Sequence, residues 1–334
     1  MRKFNKNSLV FGFAIVFIIA GFCGNTIPKL SDFYESKYAQ TGTDRIKGRL
    51  VSVWNAAHEN YDDKLFYFGS LMDVNSIKEN LLGTRVIQKD NSTIVKTKSG
   101  KLHKVDDIRV CEEDYEWSTE QIDKLKKASD KTNAKFLYCA MPSKVYHETL
   151  PENITDYTKE NYDGFLTALD KKGIPYVDLF PKIVNSGIKE SEIYYNSDHH
   201  WKVLSAFTAN KILCEELSDR YGFNYNKQYC DISNFSVSSY PAYFLGSWGK
   251  KVGTFFSWLG ADDFDVIVPD FKTSFVEEQP FKNEIRNGEF EDTVLYKSYL
   301  SDNYYEGNCY DMYSGGTFRL QIFKNESAQN GKKY

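Results

Sequence analysis

Between Ser118 and Leu179 the chain repeatedly switches hydrophobic period over short distances, and this constrains the fold more than any other feature. Ser118-Thr119-Glu120-Gln121 has the pattern of a capping box, in which the serine hydroxyl bonds the N3 amide and the glutamine reaches back. A helix is therefore expected over residues 118–132, with Ile122 and Leu125 on its buried side. Residues 135–141 form a short apolar run ended by Pro142, the pattern of a strand buried on both faces. A second helix is expected after Asp156, with Tyr162, Phe165, Leu166 and Leu169 at helical spacing and Gly173 as its left-handed cap. Residues 174–179 read as the next strand. Helix, strand, helix, strand with short connections predicts βαβ units, a parallel sheet and the α/β class. Functional residues in such sheets gather outside the carboxyl ends of the strands.

After Pro181 a polar loop leads to Tyr194-Tyr195-Asn196-Ser197-Asp198-His199-His200-Trp201 and then to a helix. The apolar face of that helix is Val203, Phe207, Leu213 and Leu217, and Gly222 is its C-cap. An Asp and a His two residues apart in a loop place a carboxylate against one ring nitrogen, which fixes the tautomer and leaves the other nitrogen as a base. Such a pair needs a nucleophile, or a bound hydroxyl, from elsewhere. Two plainer readings stand beside this one. Asp198 is a favoured N-cap type, and Asp198, His199 and His200 are metal-ligating types, although no further ligand motif at zinc spacing accompanies them.

The segment Ser197-Asp198-His199-His200-Trp201, the preceding Met141-Pro142-Ser143-Lys144 and the downstream amphipathic helix resemble the DHHW protein family. Its members are similar to the SGNH-like domains of bacterial alginate O-acetyltransferases. The resemblance runs from about Phe4 to the C-terminus. It implies an SGNH-like three-layer α/β sandwich with a parallel central sheet, in a permuted order where the Asp-His element precedes the serine. By match, Asp198 and His200 are the catalytic Asp and His, and Trp201, Tyr195 and His199 surround them as substrate-binding residues. The implied chemistry is acyl transfer to or from hydroxyls of a cell-envelope polysaccharide. No cofactor and no metal are implied; the implied partners are the polysaccharide and a membrane protein that delivers the acyl donor.

The nucleophile of that family sits in an Asp-Ser-Tyr or Asp-Ser-Phe element after an apolar strand, a hundred or more residues beyond the His. Here residues 315–324, then Asn330-Gly331-Lys332-Lys333-Tyr334, look like the approach to that strand, and the serine element itself is missing. The expectation is a truncated chain, or a member without catalysis. Ser247, preceded by Gly246, and Ser143, after the first strand, are the substitutes considered; Ser247 lacks the strand-turn-helix context of an exposed nucleophile. The long segment between the Asp-His element and the expected serine, residues 231–310, reads as a lid, a sugar-binding surface or an irregular excursion closed by aromatic clusters.

Arg2, Lys3 and Lys6 precede an apolar run from Leu9 to Phe22, an export signal without a clear cleavage site, and Phe22 before Cys23 spoils a lipobox. A single-pass signal anchor over residues 1–28 with an extracytoplasmic body is expected, with secretion as the alternative. Residues 29–117 are read as an N-terminal helix, with Ile46, Leu50, Val51 and Trp54 as its stripe, and a small β-rich region; residues 118–334 are the SGNH-like domain.

Composition narrows the partners. Of 334 residues, 42 are Lys or Arg and 46 are Asp or Glu, a formal charge of −4, which disfavours nucleic acid. Aromatics reach 16%, with 24 Tyr and 24 Phe, many in polar stretches, so a carbohydrate surface stands as the rival to compositional bias. If catalysis is absent, an envelope polysaccharide-binding role is the alternative function. Six cysteines show no CxxC pair; Cys139 and Cys214 lie in apolar segments and read as buried thiols, whereas Cys111, Cys230 and Cys309 are free to pair outside the cell.

Overall fold

The computed structural model describes residues 68–89, 91–141, 144, 150–300, 305 and 307–327. The expected signal anchor, the Ile46–Trp54 stripe and Ser143 lie outside these residues. The chain divides into two compact units, Met1–Asn75 and Ser76–Tyr334. The described part of the first is the start of helix α1 (Phe68–Leu81), and all the other elements belong to the second.

Strands β1 (Val86–Lys89), β2 (Ser92–Lys96) and β3 (Leu102–Lys104) form an antiparallel sheet. Its fully buried Ile94 and Leu102 pack with Trp248, Val252 and Phe256. Helix α2 (Glu112–Lys131) starts six residues before the expected box, so Ser118 lies inside it. Glu112, Glu113 and Asp114 supply an acidic first turn that suits the helix dipole, and Asn161 takes the Val110 amide just ahead of it, so upstream contacts override the local box. Leu125 is 63% exposed, contrary to expectation, and Thr119 is the buried residue of that helix.

β4 (Tyr138–Ala140) pairs in parallel with β5 (Tyr176–Asp178), and α3 (Thr158–Lys172), capped by left-handed Gly173, makes the crossover. Here the expected βαβ unit is present. The parallel sheet ends there: β4 and β5 are the parallel pair among the described residues, and the other sheets are antiparallel. Cys139 is exposed and Cys214 half-buried, which corrects the expectation of buried thiols and of a strand covered on both faces. The pattern of β4 is half-buried, exposed, buried, so one face of this short strand is uncovered.

In place of the expected polar loop, the segment after β5 forms α4 (Leu179–Asn185) and a single turn, α5 (Glu190–Ile193). Asp178 caps α4 by accepting from the Phe180 amide. Helix α6 (Val203–Tyr221) ends at left-handed Gly222 as expected. Val177, Leu179, Ile183, Ile193, Tyr194, Ala209 and Ile212 form the core under this half.

The described residues from 231 onward extend the fold. β6 (Phe235–Phe244) and β7 (Asp262–Pro269) form a long antiparallel ribbon, and α7 (Ser247–Val252) sits between them. β8 (Phe275–Gln279) lies between β9 (Glu284–Gly288) and β10 (Ile322–Asn325) in an antiparallel sheet. The aromatics of this region build a core, with Phe244, Phe264, Val266, Leu295, Cys309 and Met312 around Tyr195. The reading of an irregular excursion therefore fails: local pairing of strands with β-branched and aromatic residues, rather than return to the parallel sheet, satisfies the backbone here. Cys111, Cys139, Cys214, Cys230 and Cys309 are all free thiols, so the suggested pairing among Cys111, Cys230 and Cys309 does not form.

One buried ion pair near the edge of the three-stranded sheet gives an acid-stability prediction. His103 Nε2 lies 2.7 Å from Asp156 Oδ2, and Oδ1 accepts from Thr158 Oγ1 at 2.7 Å and the Asp106 amide at 2.9 Å. Burial alone raises the Asp156 carboxyl, but the hydrogen bonds from His103, Thr158 and Asp106 outweigh it and hold the pKa at about 2. A depressed carboxyl pKa contributes stability above its unfolded value near 3.8, and that contribution is lost as pH falls toward about 2. We expect urea midpoints of the wild-type chain to fall between pH 4 and pH 2 more steeply than those of Asp156→Asn. The difference should amount to about 2 kcal/mol over the window. Parallel curves would show that this carboxylate contributes nothing to acid stability.

Candidate active site

The Tyr194–Trp201 segment is a narrow loop closed at its base. Tyr194 and Trp201 form an antiparallel bridge, the Tyr195 amide donates to His200 O at 3.1 Å, and the Lys202 amide to Ile193 O at 2.7 Å. Tyr194 anchors the loop in one core and Tyr195 in the other. Lys202, not Asp198, is the N-cap of α6, so the capping reading of Asp198 is overturned.

The tip is held from several sides. Lys144, fully buried, donates from Nζ to Tyr195 O at 2.6 Å, Asn196 O at 2.9 Å and Asp198 O at 3.3 Å. Asp262, also buried, accepts from the Asn196 amide at 2.7 Å, the Ser197 amide at 2.9 Å and Ser197 Oγ at 2.5 Å. Ser197 Oγ in turn accepts from the Gly246 amide, and Ser197 O from the Gly249 amide. A lysine and an aspartate of opposite charge thus saturate a buried stretch of backbone that would otherwise be costly to desolvate.

Asp198 is 2% exposed, yet every oxygen of its carboxylate is engaged. Oδ1 accepts from His200 Nδ1 at 2.6 Å and the His200 amide at 2.9 Å, and Oδ2 accepts from the Ser247 amide. Burial pushes this carboxyl up, but the His200 ring, the Ser247 and His200 amides and the nearby His199 hold it well below the usual carboxylate range. An ionised Asp198 requires a proton on His200 Nδ1, which leaves Nε2 as the basic nitrogen. The imidazole of His200 is sandwiched between His199 and Tyr310, with centroids 4.0 Å and 4.3 Å away. Tyr310 packs in its turn against Tyr195 and Phe244.

The substrate-binding expectations have separate outcomes. His199 is half-exposed at the mouth, beside Asp198 and Trp248. Trp201 is half-buried and packs against the core of Val177, Ile193 and Tyr194. Tyr195 is 1% exposed and packs among Phe244, Phe264 and Tyr310, which places its ring beneath the site rather than on a face a substrate reaches.

Ser247 does have the strand-turn-helix setting denied to it from sequence, because β6 ends at Phe244 and α7 begins at Ser247. Its Oγ lies 3.3 Å from His199 Nδ1. That same nitrogen lies 3.2 Å from Asp198 Oδ1, and one nitrogen cannot both donate to the carboxylate and accept the serine proton. Burial, opposed by Asp198 and aided by His200, Lys104 and Lys144, lowers the His199 pKa. Ser247 therefore contributes its amide to Asp198 and does not complete a relay through His200. Among the described residues, no serine hydroxyl is hydrogen-bonded to His200. Asp198, His199 and His200 also bring ligand atoms within 4.8 Å of one another, but a cation there would compete with the hydrogen bonds that orient His200.

Sequence reasoning named Asp198 and His200 and missed Lys144, Gly246, Asp262 and Tyr310 as parts of the site. Their signals are single residues whose role depends on long-range contacts. Gly246 shows this most sharply: a Cβ there would stand 2.1 Å from Asp198 Cβ. Its backbone is in an ordinary extended conformation, so the requirement is purely one of space. Gly246→Ala is expected to destabilise the chain by about 1–3 kcal/mol, in the range of an overpacked core, and to separate Asp198 from Ser247. Urea unfolding checks the first effect and the His200 ring signals in NMR the second; unchanged values for both would contradict the packing described.

Residues 105–231 match the family model described as ALGX, SGNH hydrolase-like domain, acetyltransferase AlgX. The resemblance read from the Asp-His-His-Trp segment to the SGNH-like domains of alginate O-acetyltransferases is thereby borne out, over less than half of the chain. A search among curated proteins finds no match. Among solved structures, Bacillus cereus PatB1 is similar at 17% identity and a TM-score of 0.55, covering 72% of this chain and 78% of that one. PatB1 with a sulfonyl adduct is similar at 16% identity and a TM-score of 0.56, with 73% and 76% covered. A DHHW family protein from Eubacterium siraeum has 16% identity and a TM-score of 0.49, with 74% and 75% covered. The chain has an SGNH-like α/β fold; the parallel central sheet of the expectation is reduced to one strand pair in the described residues. No helix among the described residues is long and apolar enough to cross a membrane.

Proposed function

We propose that this chain is an extracytoplasmic SGNH-like protein of cell-envelope polysaccharide O-acetylation, in which His200, oriented by Asp198, is the general base for acyl transfer or ester hydrolysis. The observation that carries this reading is the 2.6 Å contact between His200 Nδ1 and a buried, fully hydrogen-bonded Asp198. A carboxylate desolvated to that degree and kept ionised serves to hold an imidazole in one tautomer and to stabilise it when it takes a proton. The match of residues 105–231 to an acetyltransferase domain supports the acyl-transfer class. The export signal expected over residues 1–28 supports the compartment, and a membrane protein would supply the acyl donor.

No serine among the described residues is bonded to His200, so in this reading its Nε2 acts on a bound water or on a sugar hydroxyl, and ester turnover is slow and has no acyl-enzyme stage. The test treats the purified 334-residue chain with a serine-directed fluorophosphonate and, separately, with an activated acetyl ester. Intact mass spectrometry should show no adduct, and ester cleavage above the solvent rate should disappear in His200→Ala. An adduct that requires His200 would show an activated serine and overturn the absence of the covalent step. Ester cleavage indifferent to His200→Ala would overturn the base.

A second reading rests on a separate observation. Trp258 is 64% and Phe255 44% exposed on the segment after α7, a surface suited to sugar faces without any chemistry. In that case the chain binds the polysaccharide and does not modify it. Affinity electrophoresis through the polysaccharide would then show retardation that Trp258→Ala abolishes and His200→Ala leaves intact.

A further inference from the structure

We propose that Lys250 is a positioning residue for His200, acting by tying the segment that carries Tyr310 to helix α7. The proposal rests on the reading of His200 as the base and deepens it. Three separate stretches of chain meet at the His200 imidazole. Its own loop supplies Asp198, and the start of α7 supplies the Ser247 amide that holds Asp198. The 3-10 helix Cys309–Met312 supplies Tyr310, whose ring stacks on the imidazole at 4.3 Å with the planes 26° apart. The direction of the ring depends on the spacing of these stretches.

Lys250 joins the second of them to the third. It lies three residues after Ser247, and its amide donates to Gly246 O at 2.9 Å in the first turn of α7. Its Nζ donates to Gly307 O at 2.6 Å, three residues before Tyr310. On the other side Tyr310 is secured by the core. Cys309 and Met312 are buried with Phe244 and Phe264, the Tyr296 amide donates to Met312 O, and Tyr313 bridges Leu295. On the near side, two hydrogen-bonded ties reach α7 and the residues just after it: the Lys250 bond, and Tyr305 Oη with the Thr254 amide and hydroxyl, each at 3.2 Å.

The Lys250 bond is charge-assisted and partly shielded from solvent, which strengthens it over an exposed lysine contact. Lys250 is half-buried, and burial lowers the pKa of its ammonium against the opposing pull of Cys309, Asp198 and Asp311. A charge desolvated in this way costs free energy unless an acceptor meets it, and Gly307 O is that acceptor. When the ammonium is removed, Gly307 loses that donor and Tyr310 can move off the imidazole. His200 then keeps its bond to Asp198 but loses a face contact, so Nε2 points over a wider range. The expected loss of His200-dependent ester cleavage is about tenfold, smaller than for removal of Asp198 because the tautomer is kept.

The experiment compares Lys250→Met, Lys250→Ala, Lys250→Arg and Tyr310→Leu in the full chain, with Lys297→Met as control, since Lys297 pairs with Glu291 on the surface. Carbon-proton NMR of the histidine-labelled protein reads the His200 ring, whose protons a stacked Tyr310 shields. Lys250→Met, Lys250→Ala and Tyr310→Leu should all move those signals downfield. Lys250→Arg, which restores a cationic donor, should leave them near the wild-type position and recover the ester cleavage lost in Lys250→Met. The two neutral variants are made together so that a folding failure of one leaves the test standing. His200 signals unmoved in a folded neutral variant, or moved equally by Lys297→Met, would overturn the proposal. Absence of ester cleavage from wild type would instead overturn the reading of His200 as a base, while the ring signals still decide the role of Lys250.

Discussion

Replacing Lys144 with methionine is expected to cost the chain about 3–5 kcal/mol of folding stability, the cost of removing one partner from a buried charge arrangement. Lys144 is fully buried, and its ammonium serves three carbonyls of the Tyr195–Asp198 loop while lying near the buried carboxylate of Asp262. Methionine fills the volume of the stem but takes the lysine donor from the Tyr195 and Asp198 carbonyls, leaves Asn196 O with the Leu102 amide, and removes the positive charge near Asp262. Because the lost groups belong to the loop that aims His200, any ester cleavage should fall along with stability. Urea unfolding of wild type and variant measures the difference. A loss of less than about 1 kcal/mol would mean that the lysine is not the clamp the geometry describes.

Asp198→Asn should reduce His200-dependent ester cleavage by about a hundredfold or more, on the scale of a mis-set catalytic tautomer. Asparagine has one acceptor oxygen where Asp198 satisfies His200 Nδ1, the His200 amide and the Ser247 amide. One donor must be left unpaired, and an amide NH2 turned toward His200 would force the proton onto Nε2, where a base is needed. The comparison with His200→Ala is informative: the two variants should fall to similar rates, and the double variant no further, because the residues act as one unit. If Asp198→Asn keeps the wild-type rate, the pair is structural.

The features legible in the sequence are those set by local chemistry. Gly173 and Gly222 end their helices because each adopts the left-handed conformation that a Cβ disfavours. The strand at 174–179 is recognisable from its apolar run, although pairing trims it to Tyr176–Asp178. Asp198 and His200 are legible because their contact spans only two residues. Features that depend on distant partners are not legible in the same way. Ser118 carries a good capping pattern, yet Asn161, on the crossover helix, receives Val110 and lets the helix begin at Glu112. Leu125 sits on an amphipathic stripe that nothing in the described fold covers. The conversion of the later chain to antiparallel ribbons, and the arrival of Gly246 beside Asp198, result from packing of β6 and β7 that no short window encodes.

The central claim is that Asp198 keeps His200 protonated on Nδ1 and basic on Nε2. Nitrogen NMR of the histidine-labelled chain above the imidazole titration reads this tautomer directly. The expected result is the Nδ1–H form for His200 in wild type, with that preference lost in Asp198→Asn. A wild-type His200 that carries its proton on Nε2, or that exchanges freely between the two forms, would contradict it.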